Sequence, residues 1–194
     1  MKRRIVTISR EFGSGGRTIG KELAKKLGIA CYDQELIEKV AQESGLSEQY
    51  IREQGEYTAR GGWLASALAG RDASGRSMQD ELWLVQRQVI LDLAERESCV
   101  IVGRCADYIL REEADCLTVF VHASLPKRAQ RIVRQYGERE DAPEKRLRDK
   151  DKRRASYYQM YTNMTWGDVH NYQIALDSGE LGIETCVRLL AELY

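Results

Sequence analysis

The chain has 194 residues, 43% of them hydrophobic and 31% charged, with only two prolines; this is the composition of one folded domain and excludes a disordered, collagen-like or linker-rich chain. Thirty basic and thirty acidic side chains cancel to a formal charge of zero, so overall charge draws the chain neither to nucleic acid nor to an anionic membrane, and any anion site must be local. No apolar run approaches the roughly 18 to 20 residues of a membrane span, and the apolar run after Met1-Lys2-Arg3-Arg4 is too short for a signal-peptide core, so the expected location is the cytoplasm.

In chain order, a continuous β-branched run at residues 5–8 reads as a first strand buried on both faces. A glycine-rich stretch follows, then a helix with the apolar stripe Ile19, Leu23 and Leu27, a weaker strand at 29–32, and a helix carrying Leu36, Ile37 and Val40. About 65 residues separate that second strand from the next, more than one crossover helix needs, so an insertion is expected. It would hold helical segments at 47–54 and 60–68 and a polar loop at 70–76, before a long helix from about 77 to 97 with Met78, Leu82, Val85, Val89 and Leu93 on its apolar face. Strands at 99–102, 117–121 and 173–176 and a closing helix with Ile183, Val187, Leu190 and Tyr194 complete the order. Strands alternating with helices predict an α/β fold whose parallel sheet is covered on both faces. The five cysteines, an odd number without a Cys-x-x-Cys pair, read as reduced core residues, and His122 and His170 offer no metal-ligand spacing.

Directly after the first strand comes Ser9-Arg10-Glu11-Phe12-Gly13-Ser14-Gly15-Gly16-Arg17-Thr18-Ile19-Gly20-Lys21. Strand, glycine-rich turn and helix form a phosphate cradle, because glycines let backbone N–H groups converge on phosphate oxygens where the helix N-terminus adds partial positive charge. The pattern G-x-x-x-x-G-K-[ST] fits in two registers. Residues 11–18 keep Gly16 and Thr18 but put Glu11 for the first glycine and Arg17 for the lysine; a start at Gly15 matches Gly20 and Lys21 but ends on Glu22. The apolar stripe has the helix under way by Ile19, so Lys21 would lie inside the helix and could not lead the loop, which favours the first register. There Gly13, Ser14, Gly15, Gly16, Arg17 and Thr18 are expected to cradle the phosphates of ATP, with Arg17 within reach of the β- and γ-phosphates and the Thr18 hydroxyl facing Mg²⁺; the plainer reading is a glycine-rich turn.

Charge is uneven along the chain. Residues 127–154 carry twelve basic and six acidic side chains, a segment suited to an anion or, on the plainer reading, a solvated helix laced with i,i+4 pairs. Within the helix expected at 144–161, Leu147, Asp151, Arg154, Tyr158 and Tyr161 share one face, so Arg154 points inward with Asp151 as its expected partner, while Arg148, Lys150 and Arg153 flank that face. On the long helix, Arg87 lies beside the apolar stripe and is either an acceptor-phosphate contact or a snorkelling side chain.

The glycine loop, Tyr32-Asp33, Ser98-Cys99-Val100-Ile101-Val102-Gly103-Arg104, Arg153-Arg154-Ala155-Ser156-Tyr157-Tyr158 and Tyr172-Gln173-Ile174-Ala175-Leu176-Asp177-Ser178 together give the chain its resemblance. It resembles the nucleoside monophosphate kinases, and more closely the cytidylate kinase-like family of P-loop proteins. The resemblance implies a P-loop NTPase fold with a five-stranded parallel sheet, a core of residues 1–43, 77–136 and 162–194, an acceptor-binding insertion at about 44–76 and an Arg-rich lid at about 137–161. It implies transfer of the γ-phosphoryl group of ATP, with Mg²⁺, to a small anionic acceptor, CMP or dCMP foremost, with Arg17, Arg104 and Arg154 as the catalytic charges. Asp33, Lys39, Arg87, Arg104, Arg148 and Asp151 would face the acceptor. Val102 and Cys105 stand where the family's Asp-Gly-Arg-Asp segment has aspartates, so Asp107 or Asp33 would have to serve. A nucleotide-binding regulator and a kinase of a non-nucleotide metabolite are the alternatives, and the oligomeric state is open.

Overall fold

The computed structural model of the chain describes residues 4–33, 36, 39, 78–137, 139 and 141–194, apart from the side chains of 78, 79 and 81. The expected insertion at 44–76 lies outside the described residues. The elements are β1 Arg4–Arg10, α1 Gly16–Leu27, β2 Ala30–Tyr32, α2 Met78–Arg96, β3 Cys99–Val102, α3 Ala106–Ile109, β4 Asp115–His122, α4 Leu125–Arg134, α5 Pro143–Thr162, β5 Ile174–Asp177, α6 Ser178–Leu181 and α7 Ile183–Leu193.

All strand pairs are parallel, in the order β2-β3-β1-β4-β5. β1 is central, with Ile5 beside Cys99 on one flank and Cys116 on the other. Its side chains alternate between two cores. Ile5, Cys99 and Ile101 pack with Val89, Ile90 and Leu93 of α2, whereas Val6, Ile8, Val100 and Val102 pack with Ile19 and Leu23 of α1 and Val187 and Leu190 of α7. A strand buried on both faces has no polar side to show, which explains its continuous apolar sequence.

β5 departs from that expectation: it begins at Ile174, one residue later than the strand expected at 173–176, and its burial is uneven because it is the sheet's edge. The connection from β3 to β4 is also shorter than a full crossover helix, since α3 has only four residues.

Helix ends follow their residues. α1 starts on Gly15 in the left-handed conformation and stops on Gly28, whose N–H caps Ala24 and Lys25 carbonyls. Pro143 opens α5, and Asn163, at φ 57°, closes it. Strand order reverses around β1, so the carboxyl ends of β1, β3 and β4 open a crevice of the kind where ligands bind in such sheets.

Candidate active site

The glycine loop crosses that crevice. Gly13 and Gly15 have φ of 77° and 85°, which glycine adopts without the steric cost a Cβ brings. Gly13 is also close-packed: a Cβ there would lie 2.9 Å from Ile132 Cγ2 and 3.2 Å from the Arg128 carbonyl. Ser14 is fully buried, and its hydroxyl donates to the Glu11 carbonyl at 2.9 Å. Ser178 donates to the carbonyls of Ser14 and of His122, the latter at 3.1 Å, and so ties the loop to the last strand.

Glu11, which departs from the glycine of the first register, has a structural task. Its Oε2 accepts the Ala123 N–H at 3.0 Å and lies 3.3 Å from Arg128 Nε, and burial raises its pKa. Arg128, only 6% exposed, joins four segments. It donates to the carbonyls of Ala123 (2.9 Å) and Phe12 (3.1 Å) and pairs with Asp151 at 2.5 Å. The other Asp151 oxygen accepts the Phe12 N–H at 2.7 Å.

Asp151 was expected to pair with Arg154, and this is corrected. Both residues do share the inward face of α5, but that face lies on the loop, and Arg128 and Phe12 take the carboxylate. Arg154 donates instead to the Arg10 carbonyl at 3.1 Å, with its guanidinium 5.4 Å from the Phe12 ring centre. Leu147 is buried against Ala129 and Ile132, so the helix expected as a lid is docked on the loop.

Beside the loop, a cleft is lined by Arg10, Arg104 and Arg154 together with Ser9, Tyr157 and Trp166. Arg104 sits in a run of three left-handed residues, Gly103 at φ 79°, Arg104 at 60° and Cys105 at 54°. Two consecutive non-glycine residues in that region cost about 1–3 kcal/mol each and mark a strained turn. Gln86 of α2 steadies it, with Nε2 3.3 Å from the Arg104 carbonyl and 3.1 Å from the Tyr157 hydroxyl. Beneath the cleft, the carboxylate of Asp107, 95% buried, accepts hydroxyls from Ser9 (3.2 Å) and Tyr158 (2.7 Å). Burial raises its pKa, and the Tyr158 and Ser9 hydroxyls partly offset the rise.

The remaining expected site residues are spread out. Arg17 is half exposed and pairs through Nε with Asp33, just after β2. Thr18 is exposed in the first turn of α1, and Lys39 is half-buried. Arg87 is half-buried on α2, where its neighbour Gln86 is the residue directed at the cleft. Arg148 lies on the outer face of α5, two-thirds exposed and paired with Glu144 at 3.3 Å, as the plainer reading of the basic segment has it. Sequence reasoning missed Arg10, Gln86 and Arg128. For Arg10 there was a signal in its place, the last residue of a buried strand next to the glycines; Gln86 and Arg128 carry no local mark.

Mg²⁺ arriving with phosphates keeps several waters and needs few protein ligands. The exposed Thr18 hydroxyl at the helix mouth fits that demand.

The model of the cytidylate kinase-like family matches residues 5–180. The chain belongs to that family. It is 28% identical over 176 residues to a cytidylate kinase of Methanothrix thermoacetophila, covering 90% of this chain and 88% of the relative. Among solved structures it is similar to an uncharacterised protein of Eubacterium ventriosum, with a TM-score of 0.73, 25% identity and 98% of each chain covered. It also shares its fold with a shikimate kinase of Bacteroides thetaiotaomicron, at a TM-score of 0.57 and 20% identity over 98% of this chain and 97% of that one. The chain is therefore a member of a kinase family with the fold of a P-loop kinase, and no helix among its described residues is long and apolar enough to cross a membrane.

Proposed function

We propose that the chain transfers the γ-phosphoryl group of ATP to a nucleoside monophosphate, CMP or dCMP foremost. One adjacency carries the reading: the glycine loop at the mouth of α1 and a cleft bearing three arginines open side by side at the ends of neighbouring strands β1 and β3. The cytidylate kinase of Methanothrix thermoacetophila, similar over most of both chains, supports the choice of acceptor. Backbone N–H groups of Gly13, Ser14, Gly15 and Gly16 hold the donor phosphates. Arg104 and Arg154 neutralise the oxygens of the group in flight, and Arg17, braced by Asp33, adds charge on the β2 side, where Lys39 also lies. The Thr18 hydroxyl would help hold Mg²⁺ arriving with the phosphates, and the ion would spread the same charge. Phosphoryl transfer asks the protein mainly for position and electrostatics, and α5 as a cover over the loop keeps water from competing with the acceptor.

The test is a panel of ribo- and deoxyribonucleoside monophosphates, with hydroxyl acids such as shikimate beside them, each incubated with ATP and Mg²⁺ and scored for phosphorylated product. Product from CMP or dCMP is expected. Product from hydroxyl acids alone would overturn the acceptor. A second reading, a nucleotide-binding regulator, is favoured by one observation: Arg17, the cation within residues 13–18, is engaged by Asp33. Binding of ATP with no product from any acceptor would establish it.

A further inference from the structure

The phosphate-loop pattern asks for a glycine immediately before the lysine that serves the β- and γ-phosphates. Two adjacent glycines compete for that place, and their backbones separate them. Gly15, at φ 85° and ψ 4°, is the left-handed N-cap of α1, where a Cβ would be strained. Gly16 is the first helical residue and is not among the positive-φ positions, so its own backbone does not call for glycine. The eight-residue pattern thus runs from Arg10 to Arg17. In this register an arginine stands at the first glycine, a glycine stands at the lysine, and Arg17 stands at the hydroxyl residue, with the Thr18 hydroxyl one position beyond it.

Space accounts for the exchange. A Cβ built on Gly16 would lie 2.5 Å from Arg10 Cβ and 2.9 Å from its Cγ, so the arginine stem fills the volume where a lysine would root. Farther out, the guanidinium lies on Gly103, where a Cβ would overlap Nη1 and come within 2.9 Å of Cζ. Two glycines from separate loops leave a channel for one side chain, which ends in the cleft with Arg104 and Arg154.

The geometry points to Arg10 as the loop's phosphate-binding cation, doing from the loop's first position the work a lysine does from its seventh. This rests on the ATP-dependent reading above, and it moves that role from Arg17 to Arg10. A guanidinium brings a planar fork of donors to two phosphate oxygens where lysine brings a point charge.

Calorimetric titration of the full chain with AMP-PNP, ADP and AMP tests it. Arg10→Gln keeps most of the stem and removes the charge; it should weaken AMP-PNP at least tenfold, ADP less, and AMP not at all, an order that loosened packing would not produce. Gly16→Lys alone should also weaken AMP-PNP, because its root meets Arg10. The double variant Arg10→Gly with Gly16→Lys, which restores the glycine and the lysine of the pattern and leaves Arg17 at its hydroxyl position, should bind AMP-PNP within about threefold of the wild type. Undiminished AMP-PNP binding by Arg10→Gln, or a double variant no better than Gly16→Lys, would overturn the assignment and leave the kinase reading standing. A wild-type chain that binds no AMP-PNP would overturn both.

Discussion

The two faces of α5 carry similar residues and behave differently. On the outer face, Glu144 and Arg148 meet at 3.3 Å with about half and two-thirds of their side-chain surface exposed. On the inner face, Asp151 meets Arg128 at 2.5 Å with 15% and 8% exposed. Water screens the first pair, so it contributes little. The second pair has lost its water and depends on its partners, so removing one partner strands a buried charge. Charge content alone does not distinguish a solvated helix from one that closes a site; the face each charge occupies does.

The contrast is broken most severely at Arg154. With its guanidinium gone, the cleft loses one of its three arginines, the one proposed with Arg104 to neutralise the transferring group, and turnover in Arg154→Ala should fall by about 10³ or more, measured as product formed under saturating ATP and acceptor. Arg148→Ala in the same assay is expected to stay within threefold of wild type, and an equal loss at both sites would erase the distinction between the faces.

Next in size is Asp151→Ala, which leaves Arg128 buried with one carboxylate instead of two. Urea unfolding should show a loss of about 3 kcal/mol, and hydrogen exchange across residues 143–162 should quicken as the helix loses its bond to the Phe12 N–H.

A smaller effect comes from Asp107 of α3, whose carboxylate accepts the hydroxyl of Tyr158 from that inner face at 2.7 Å. Its carboxyl titrates above its ordinary value because of burial, so the folded chain binds more protons than the unfolded one from about pH 3.9 upward. Stability contributed by the protonated form is complete below that pH and is lost as pH rises through the folded pKa. Asp107→Asn should remove this contribution, so the wild type should lose stability relative to the variant across that interval; parallel pH–stability curves would show that Asp107 is charged alike in both states.

The smallest effect belongs to the outer face. Arg148→Ala should change unfolding free energy by less than about 0.5 kcal/mol, read by the same urea titration, and raised salt should shrink even that.

The sequence by itself determined what depends on local period and composition. Continuous apolar runs fixed the parallel strands, the glycine cluster after β1 fixed a loop at a helix mouth, and 3.6-residue spacing turned Leu147, Asp151, Arg154 and Tyr158 to one side of α5. It also brought Arg104 and Arg154 forward as site residues, and both line the cleft. Tertiary structure decided the partners. Ser9 reaches Asp107 across 98 positions, Phe12 reaches Asp151 across 139, and the Arg10 carbonyl meets Arg154 across 144. A helical period says which way a side chain points and nothing about what stands opposite, since that depends on how two elements pack. For the same reason the seat of Arg10 was hidden: it exists only where Gly16 and Gly103, on different loops, leave the same space empty.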